Sequence, residues 1–242
     1  MILPKEPSSA EQPNQLFDRS QVLDQLRPPA HAPEFSRVFA ARTCMMAGVG
    51  LTGVFLWYLV RFWVYGKAVV LTSAPLTIPA GFLIAGMAVA TLIGAALASW
   101  AAGPISERIE EKNIPVARVV AGACLLYAAG LALAWGLGVW STGTARENGM
   151  LLFALISGFA FGVYDSLGLE LVMDSLPDPR RAGHDLGIYA LANSAGLALA
   201  AIIGALLVNA FEHSFGYYLL FPSAIVMVLL AGIVTLTTKS AE

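Results

Sequence analysis

The chain has 242 residues, of which 57% are hydrophobic and only 12% charged, with a net charge of −2 and a mean hydropathy of +0.72. A soluble domain of this length exposes far more Lys, Glu, Arg and Asp, so the composition excludes an ordinary soluble globular protein. The apolar residues run in continuous stretches and not in short alternating segments, which excludes a membrane β-barrel and leaves an all-α polytopic membrane protein.

Residues 1–33 are polar and rich in Pro, Ser and Gln, and are expected to form a cytoplasmic, largely disordered tail. Within it, Leu16, Phe17, Val22, Leu23 and Leu26 can share one face of a short helix on the membrane surface; a simply solvated tail fits equally well. The first 34 residues contain no apolar core of the signal-peptide type, so the first span is expected to direct insertion.

A hydrocarbon core needs about 20 apolar residues per helix. The sequence predicts six such spans, at 36–63, 80–102, 116–140, 150–172, 187–210 and 217–238, within a transmembrane domain over 34–238 followed by a short tail at 239–242. Span 1 ends in Trp57, Tyr58, Arg61, Trp63 and Tyr65, an interfacial aromatic anchor, and 66–79 is an outer loop broken by Pro75 and Pro79. Spans 2 and 3 carry Gly81, Gly86, Gly94, Gly103, Gly122, Gly130, Gly136 and Gly138, read as small residues for close helix packing. Cys44 and Cys124 fall inside spans and read as buried thiols. His31, His184 and His213 sit in different loops and suggest no metal site; no cofactor motif is present.

Six spans put both termini on one side. Of the 14 basic residues, 11 (Lys5, Arg19, Arg27, Arg37, Arg42, Arg108, Lys112, Arg118, Arg180, Arg181 and Lys239) fall on that side, against Arg61, Lys67 and Arg146 on the other. The bias predicts N-in and C-in, in the cytoplasmic membrane.

Span 4 carries two carboxylates in an apolar setting, Asp165 and Glu170, beside Tyr164. A carboxylate at mid-membrane costs about 2.5–3.5 kcal/mol on insertion scales, so it faces protein or water, or is protonated. Asp165 reads either as a substrate-contacting or proton-coupling acid or as half of a pair locking two helices. Glu170, five residues on, points to another face and reads as part of the cytoplasmic charge network. In span 5, Ala192, Gly196, Ala200 and Gly204 form a packing stripe, with Asn193 on the adjacent face either bonding a neighbouring helix or lining a cavity. The 103–115 and 173–186 loops are rich in both charges, and acid–base pairs across them can close the cytoplasmic end and release when helices rock. Asp185 is placed to cap span 5.

These loops resemble the major facilitator superfamily. Its members carry a Gly-x-x-x-Asp-Arg-x-Gly-Arg-Arg/Lys signature after the second helix of each half, and Gly103, Glu107, Arg108 and Lys112 occupy comparable positions, with Glu for Asp and with Glu110 and Glu111 where Gly and Arg are expected. The stretch Leu176-Pro177-Asp178-Pro179-Arg180-Arg181-Ala182-Gly183-His184-Asp185-Leu186-Gly187, followed by Ala192-Asn193, is similar to one in bacterial facilitator proteins related to sugar–cation symporters. Relatives often place a Pro-Gln pair after the Asn, where this chain has Ser194-Ala195, and an Asp where it has Gly168.

The resemblance implies the C-terminal six-helix half of such a transporter. Asp165, Tyr164, Asn193 and Glu170 are then the substrate or coupling candidates. Gly103, Glu107, Arg108, Lys112, Asp174, Asp178, Arg180, Arg181 and Asp185 are the gate candidates. A half beginning at Met1 is expected to need a partner: a second copy, a separate first half, or a larger membrane complex. Two functions follow: a half-sized secondary transporter moving a small solute, such as a sugar, by alternating access; or a non-transporting, facilitator-derived scaffold subunit. No Ser/His/Asp set, metal cluster or phosphate loop points to an enzyme, and membrane lipid, not nucleic acid, is the expected surrounding.

Overall fold

A computed structural model describes residues 33–65, 77–140, 143–176, 182–210 and 212–238. The 1–32 tail, most of the 66–79 loop and residues 177–181, with Asp178, Arg180 and Arg181, lie outside the described residues. Every regular element described is helical: α1 (Pro33–Gly53), α2 (Thr77–Lys112), α3 (Val116–Trp140), α4 (Thr144–Asp174), α5 (Ala182–Ala210) and α6 (Glu212–Leu236). Five of these pass as membrane-crossing helices by length and apolarity; α1 makes a sixth when joined to the short helical segment Leu56–Val64, which is bent from it by 42°.

That bend is absent from the sequence reading of span 1 as one continuous run. It is built without orphaning backbone groups, which lipid would penalise heavily. The Val54 amide still donates to the Gly50 carbonyl (2.9 Å), and Leu59 to Phe55 (2.8 Å). Beyond it the chain widens into a π-helical turn at Leu59–Val64, closed by Tyr65 N–H on the Val60 carbonyl. The bend lets two rings find glycine-sized seats. Phe55 lies where a β-carbon on Gly204 of α5 would fall, and Trp63 where one on Gly138 of α3 would fall. Trp63 is buried, edge-on to Tyr218 at 4.1 Å and tilted against Phe221, so it is a packing residue; Trp57 and Tyr58 are the exposed members of the expected anchor. Arg146, at the start of α4, donates to the Trp63 carbonyl at 2.9 Å and ties this end down. Nearby, burial and a hydrogen bond to Glu147 push Tyr65 up to about 12.

The second departure is α2. The expected loop from 103 is helix as far as Lys112, although Pro104 removes one backbone donor. Ile105 and Ile109, one turn apart, pack against the apolar core and hold the extension in place. It stops in a Schellman motif: Asn113 takes φ 49°, Asn113 N–H bonds the Glu110 carbonyl and Ile114 N–H the Ile109 carbonyl. Pro115 then blocks continuation. Gly103, Glu107, Arg108 and Lys112 are therefore exposed positions on a helix, not loop residues.

The packing divides the helices into two clusters. α4 packs on α2 and α3; α1 packs on α5 and α6. Exchanging α1 with α4, α2 with α5 and α3 with α6 maps most of these contacts onto one another, as in two inverted three-helix repeats. α5–α6 packing has no α2–α3 counterpart of similar extent. The clusters meet chiefly along α3 and α6, and α1 touches α4 only lightly. The least buried spans are α2 and α5, with 22% of each apolar window covered, and these two also exchange under the pseudo-symmetry.

Glycines set the closest crossings. A β-carbon on Gly158 of α4 would strike the Thr91 carbonyl of α2, and one on Gly94 the backbone of Leu155 and Phe159. Across α1 and α5, a β-carbon on Gly196 would stand 2.7 Å from the Thr43 carbonyl oxygen, and one on Gly50 2.7 Å from the Ala200 methyl. Gly196 and Gly204 with Ala192 and Ala200 form the buried face of α5, as the stripe predicts. Gly81, Gly103 and Gly122 meet nothing within 4 Å, so their part in the expected packing is not realised.

Gly158→Leu is expected to lower stability by about 1–3 kcal/mol through overpacking against backbone. Gly122→Ala, which meets open space, should be neutral or slightly stabilising. Thermal unfolding of the two variants in one detergent checks the contrast.

Candidate functional site

Arg42 is the centre of the site. It lies nine residues into α1, well inside the helix, with its side chain 9% exposed. A guanidinium keeps its charge in such a place and must be given acceptors. Its Nη1 donates to Asp165 Oδ1 of α4 at 2.7 Å, and its Nε to Asn193 Oδ1 of α5 at 2.7 Å. Three rings surround the guanidinium carbon: Phe161 at 5.6 Å, Tyr164 at 5.7 Å and Tyr189 at 5.8 Å. Cation–π contacts are worth about 0.5–1 kcal/mol when exposed and about 2 when desolvated, so the rings supply part of what water would have given.

Arg42, counted by sequence among the basic residues on the side of the termini, is a buried cation whose counterion comes from another apolar helix. Of the alternatives for Asn193, bonding a neighbouring helix is the one realised. Tyr164, expected as a substrate contact, is buried and belongs to the aromatic wall around Arg42. Phe161 and Tyr189 are members of the site that sequence reasoning missed. The sequence signal for Arg42 is its position six residues inside a predicted span, which calls for acceptors from another helix without saying which.

Asp165 has two faces. One oxygen is held by Arg42, while the side chain is 55% exposed and lines a cavity of about 350 Å³. Val49 of α1, Thr91, Ala95 and Ser99 of α2, Tyr127 of α3, and Ser157, Gly158, Phe161, Gly162 and Ser166 of α4 form the walls with Asp165. Arg42 stands behind Asp165 and does not line it.

The remaining candidates are not brought to this cavity. Glu170 and Asp174 are exposed on the last turns of α4, and Glu170 makes no ion pair with a described residue. Glu107, Arg108 and Lys112 are exposed on the α2 extension, and no ion pair links them to Asp174 or Asp185 among the described residues. The expected facing of acid and base across the two loops is thus not seen in what is described. Asp185 lies inside the first turn of α5, where a helix N-terminus favours an anion, and not at the cap position. It is buried, its Oδ1 3.3 Å from His184 Nδ1, and its Oδ2 has no described partner. Among the described residues no group of three His, Cys, Asp or Glu is placed to hold a metal.

No family model, no curated protein and no solved structure matches the chain. The site's chemistry is therefore read from its geometry.

A hydrogen bond to a charged group contributes about 1.5–3 kcal/mol, less where one partner meets water. Because Asp165 is half-exposed, a double-mutant cycle of Arg42→Ala and Asp165→Ala, read by chemical unfolding, is expected to give a coupling of about 1–2 kcal/mol. Arg42→Ala should be the more damaging single change, since it also strips Asn193 and the three rings of their partner.

Proposed function

We propose that this chain is one six-helix half of a secondary transporter of the major facilitator type, moving a small solute by alternating access when paired with a second half. The observation that carries this reading is the Arg42–Asp165 pair on the wall of a mid-bundle cavity, joining two helix clusters that otherwise touch mainly along α3 and α6. Inverted three-helix repeats with irregular or discontinuous spans around a midplane site are a recurrent transporter plan. The near-exchange of α1–α2–α3 with α4–α5–α6 and the broken first span both fit it. The excess of basic residues on the side of the termini supports an N-in, C-in orientation in the cytoplasmic membrane of a bacterium. The exposed α2 and α5 faces are where a second half would sit.

In this reading Asp165 couples solute movement to its bond with Arg42. While the bond holds, α1 and α4 are fixed together; when a solute or proton competes for the carboxylate, the clusters can rock. The charged ends of α2 and α4, with Glu107, Arg108, Lys112 and Asp174, form the cytoplasmic rim.

A second reading has a specific observation behind it. Both acceptors, Asp165 and Asn193, are engaged by Arg42, as a static three-helix lock would have them. A facilitator-derived scaffold subunit in a larger membrane complex would need no more.

The two readings separate in proteoliposomes containing the protein in the assembly purified from its own membrane. With an imposed pH gradient, the transporter reading expects solute accumulation that Asp165→Asn abolishes while the assembly stays intact. Unchanged gradient-driven uptake in Asp165→Asn removes the coupling role. No flux of any solute, together with loss of a larger complex when the chain is deleted, favours the scaffold.

A further inference from the structure

We infer that the cavity beside Asp165 is a binding site for a small organic cation bearing N–H donors, a primary ammonium group held against the free face of the carboxylate. This deepens the transport reading, and rests on it, by naming the class of solute for that cavity.

The inference comes from where the Ser and Thr donors on the cavity wall point. Thr91 Oγ1 donates to the Met87 carbonyl at 2.9 Å, Ser99 Oγ to Ala95 at 3.1 Å, Ser157 Oγ to Ala154 at 3.0 Å and Ser166 Oγ to Gly162 at 2.8 Å. Each hydroxyl turns its hydrogen back onto its own helix and leaves oxygen lone pairs for the cavity. Such back-bonding is how helical Ser and Thr settle in a medium without water. The four Ser and Thr hydroxyls on the wall therefore present acceptors, beside the Asp165 carboxylate. A ligand rich in acceptors finds no partner there; a ligand rich in donors finds several.

Charge points the same way. Arg42 and Asp165 sum to zero, but they are not equidistant from the cavity. The guanidinium is behind the carboxylate and closed off by rings, while the carboxylate lines the space. The pair is a dipole with its negative end facing inward. Asp165 Oδ1 is taken by Arg42, and Oδ2 has no described partner. An ammonium at Oδ2 makes a charge-assisted hydrogen bond, the stronger kind. Phe161 and Tyr127 line the same space, and aromatic rings attract cations. At about 350 Å³ the cavity is at the lower end of organic-ligand sites and far larger than a bare alkali ion needs.

The test is a binding titration on the purified full-length protein in detergent, which does not depend on transport. n-Butylammonium chloride, 1-butanol and sodium chloride are compared by isothermal calorimetry and by the shift in unfolding temperature. Saturable binding of the ammonium, with the alcohol and the sodium salt at least about tenfold weaker, is expected. Ala95→Leu fills the cavity without replacing either member of the ion pair and should abolish that binding, with the ligand-free unfolding transition showing that the variant is folded. Asp165→Asn should weaken it by about tenfold or more; if that variant misfolds, Ala95→Leu still decides. Equal binding of the alcohol, stabilisation by sodium alone, or ammonium binding that survives Ala95→Leu would each overturn the assignment. Ammonium binding without flux in proteoliposomes would sink the transporter reading and leave the site standing; flux of a neutral solute without ammonium binding would do the reverse.

Discussion

A guanidinium buried among membrane helices governs this structure. Arg42 cannot shed its charge, and lipid offers it nothing, so the bundle must present acceptors at fixed places. It does so from two other helices, Asp165 on α4 and Asn193 on α5, each at 2.7 Å. The fork geometry explains why arginine suits the position better than lysine. Nε and Nη1 leave the planar group in set directions and reach two helices at once, and the flat face takes the three rings. A lysine would bring one mobile point charge and leave one acceptor unserved.

The close glycine crossings follow from the same demand. For α5 to offer Asn193 to Arg42, it must approach α1 closely, and Gly50 and Gly196 permit this by removing the β-carbons that would strike Ala200 and the Thr43 carbonyl. For α4 to carry Asp165, Phe161 and Tyr164 on one side while staying against α2 on another, Gly158 meets the backbone of Thr91. Close packing in lipid gains little from apolar attraction, so small residues and buried polar bonds do what a hydrophobic core does in water. Here the two devices act at the same crossings, and neither is placed without the other.

Much of this is legible in the sequence, because the solvent simplifies the problem. Long apolar runs give the helices and their order. Asp165 stands out as an acid in such a run, and the Ala192–Gly196–Ala200–Gly204 stripe reads directly as a buried face. What the sequence hides has physical reasons. Arg42 is near enough to the end of its helix to pass as an orienting surface charge, and only three-dimensional packing reveals the acid opposite. The extension of α2 past Pro104 depends on Ile105 and Ile109 finding the core, a tertiary effect that overrides the local signals for a loop. Gly81, Gly103 and Gly122 resemble packing glycines in composition, yet their helix faces meet no neighbour. The bend after Gly53 is set by where Phe55 and Trp63 can seat, which again is a property of the partners.

The location of the ion pair also constrains what motion the fold can support. α1 and α4, the two helices related by the exchange, make little apolar contact with each other, so their connection is mostly Arg42 and Asp165. Along α3 and α6 the clusters meet through ordinary side-chain packing, which slides or tilts gradually. An ion pair behaves differently: at 2.7 Å it is made, and a shift of a few ångströms leaves a charge without its partner. The structure thus has a compliant contact on one side and a two-position contact on the other, which is the condition for a hinge with a latch. Asn193 keeps the latch from being symmetric. Its bond to Arg42 Nε lies within the α1–α5–α6 cluster, so if the clusters part, the guanidinium stays with α1 and α5 and the carboxylate leaves with α4. In the transporter reading, an occupant of the cavity that satisfies Asp165 lowers the cost of separation, and one that cannot satisfy it leaves the latch shut.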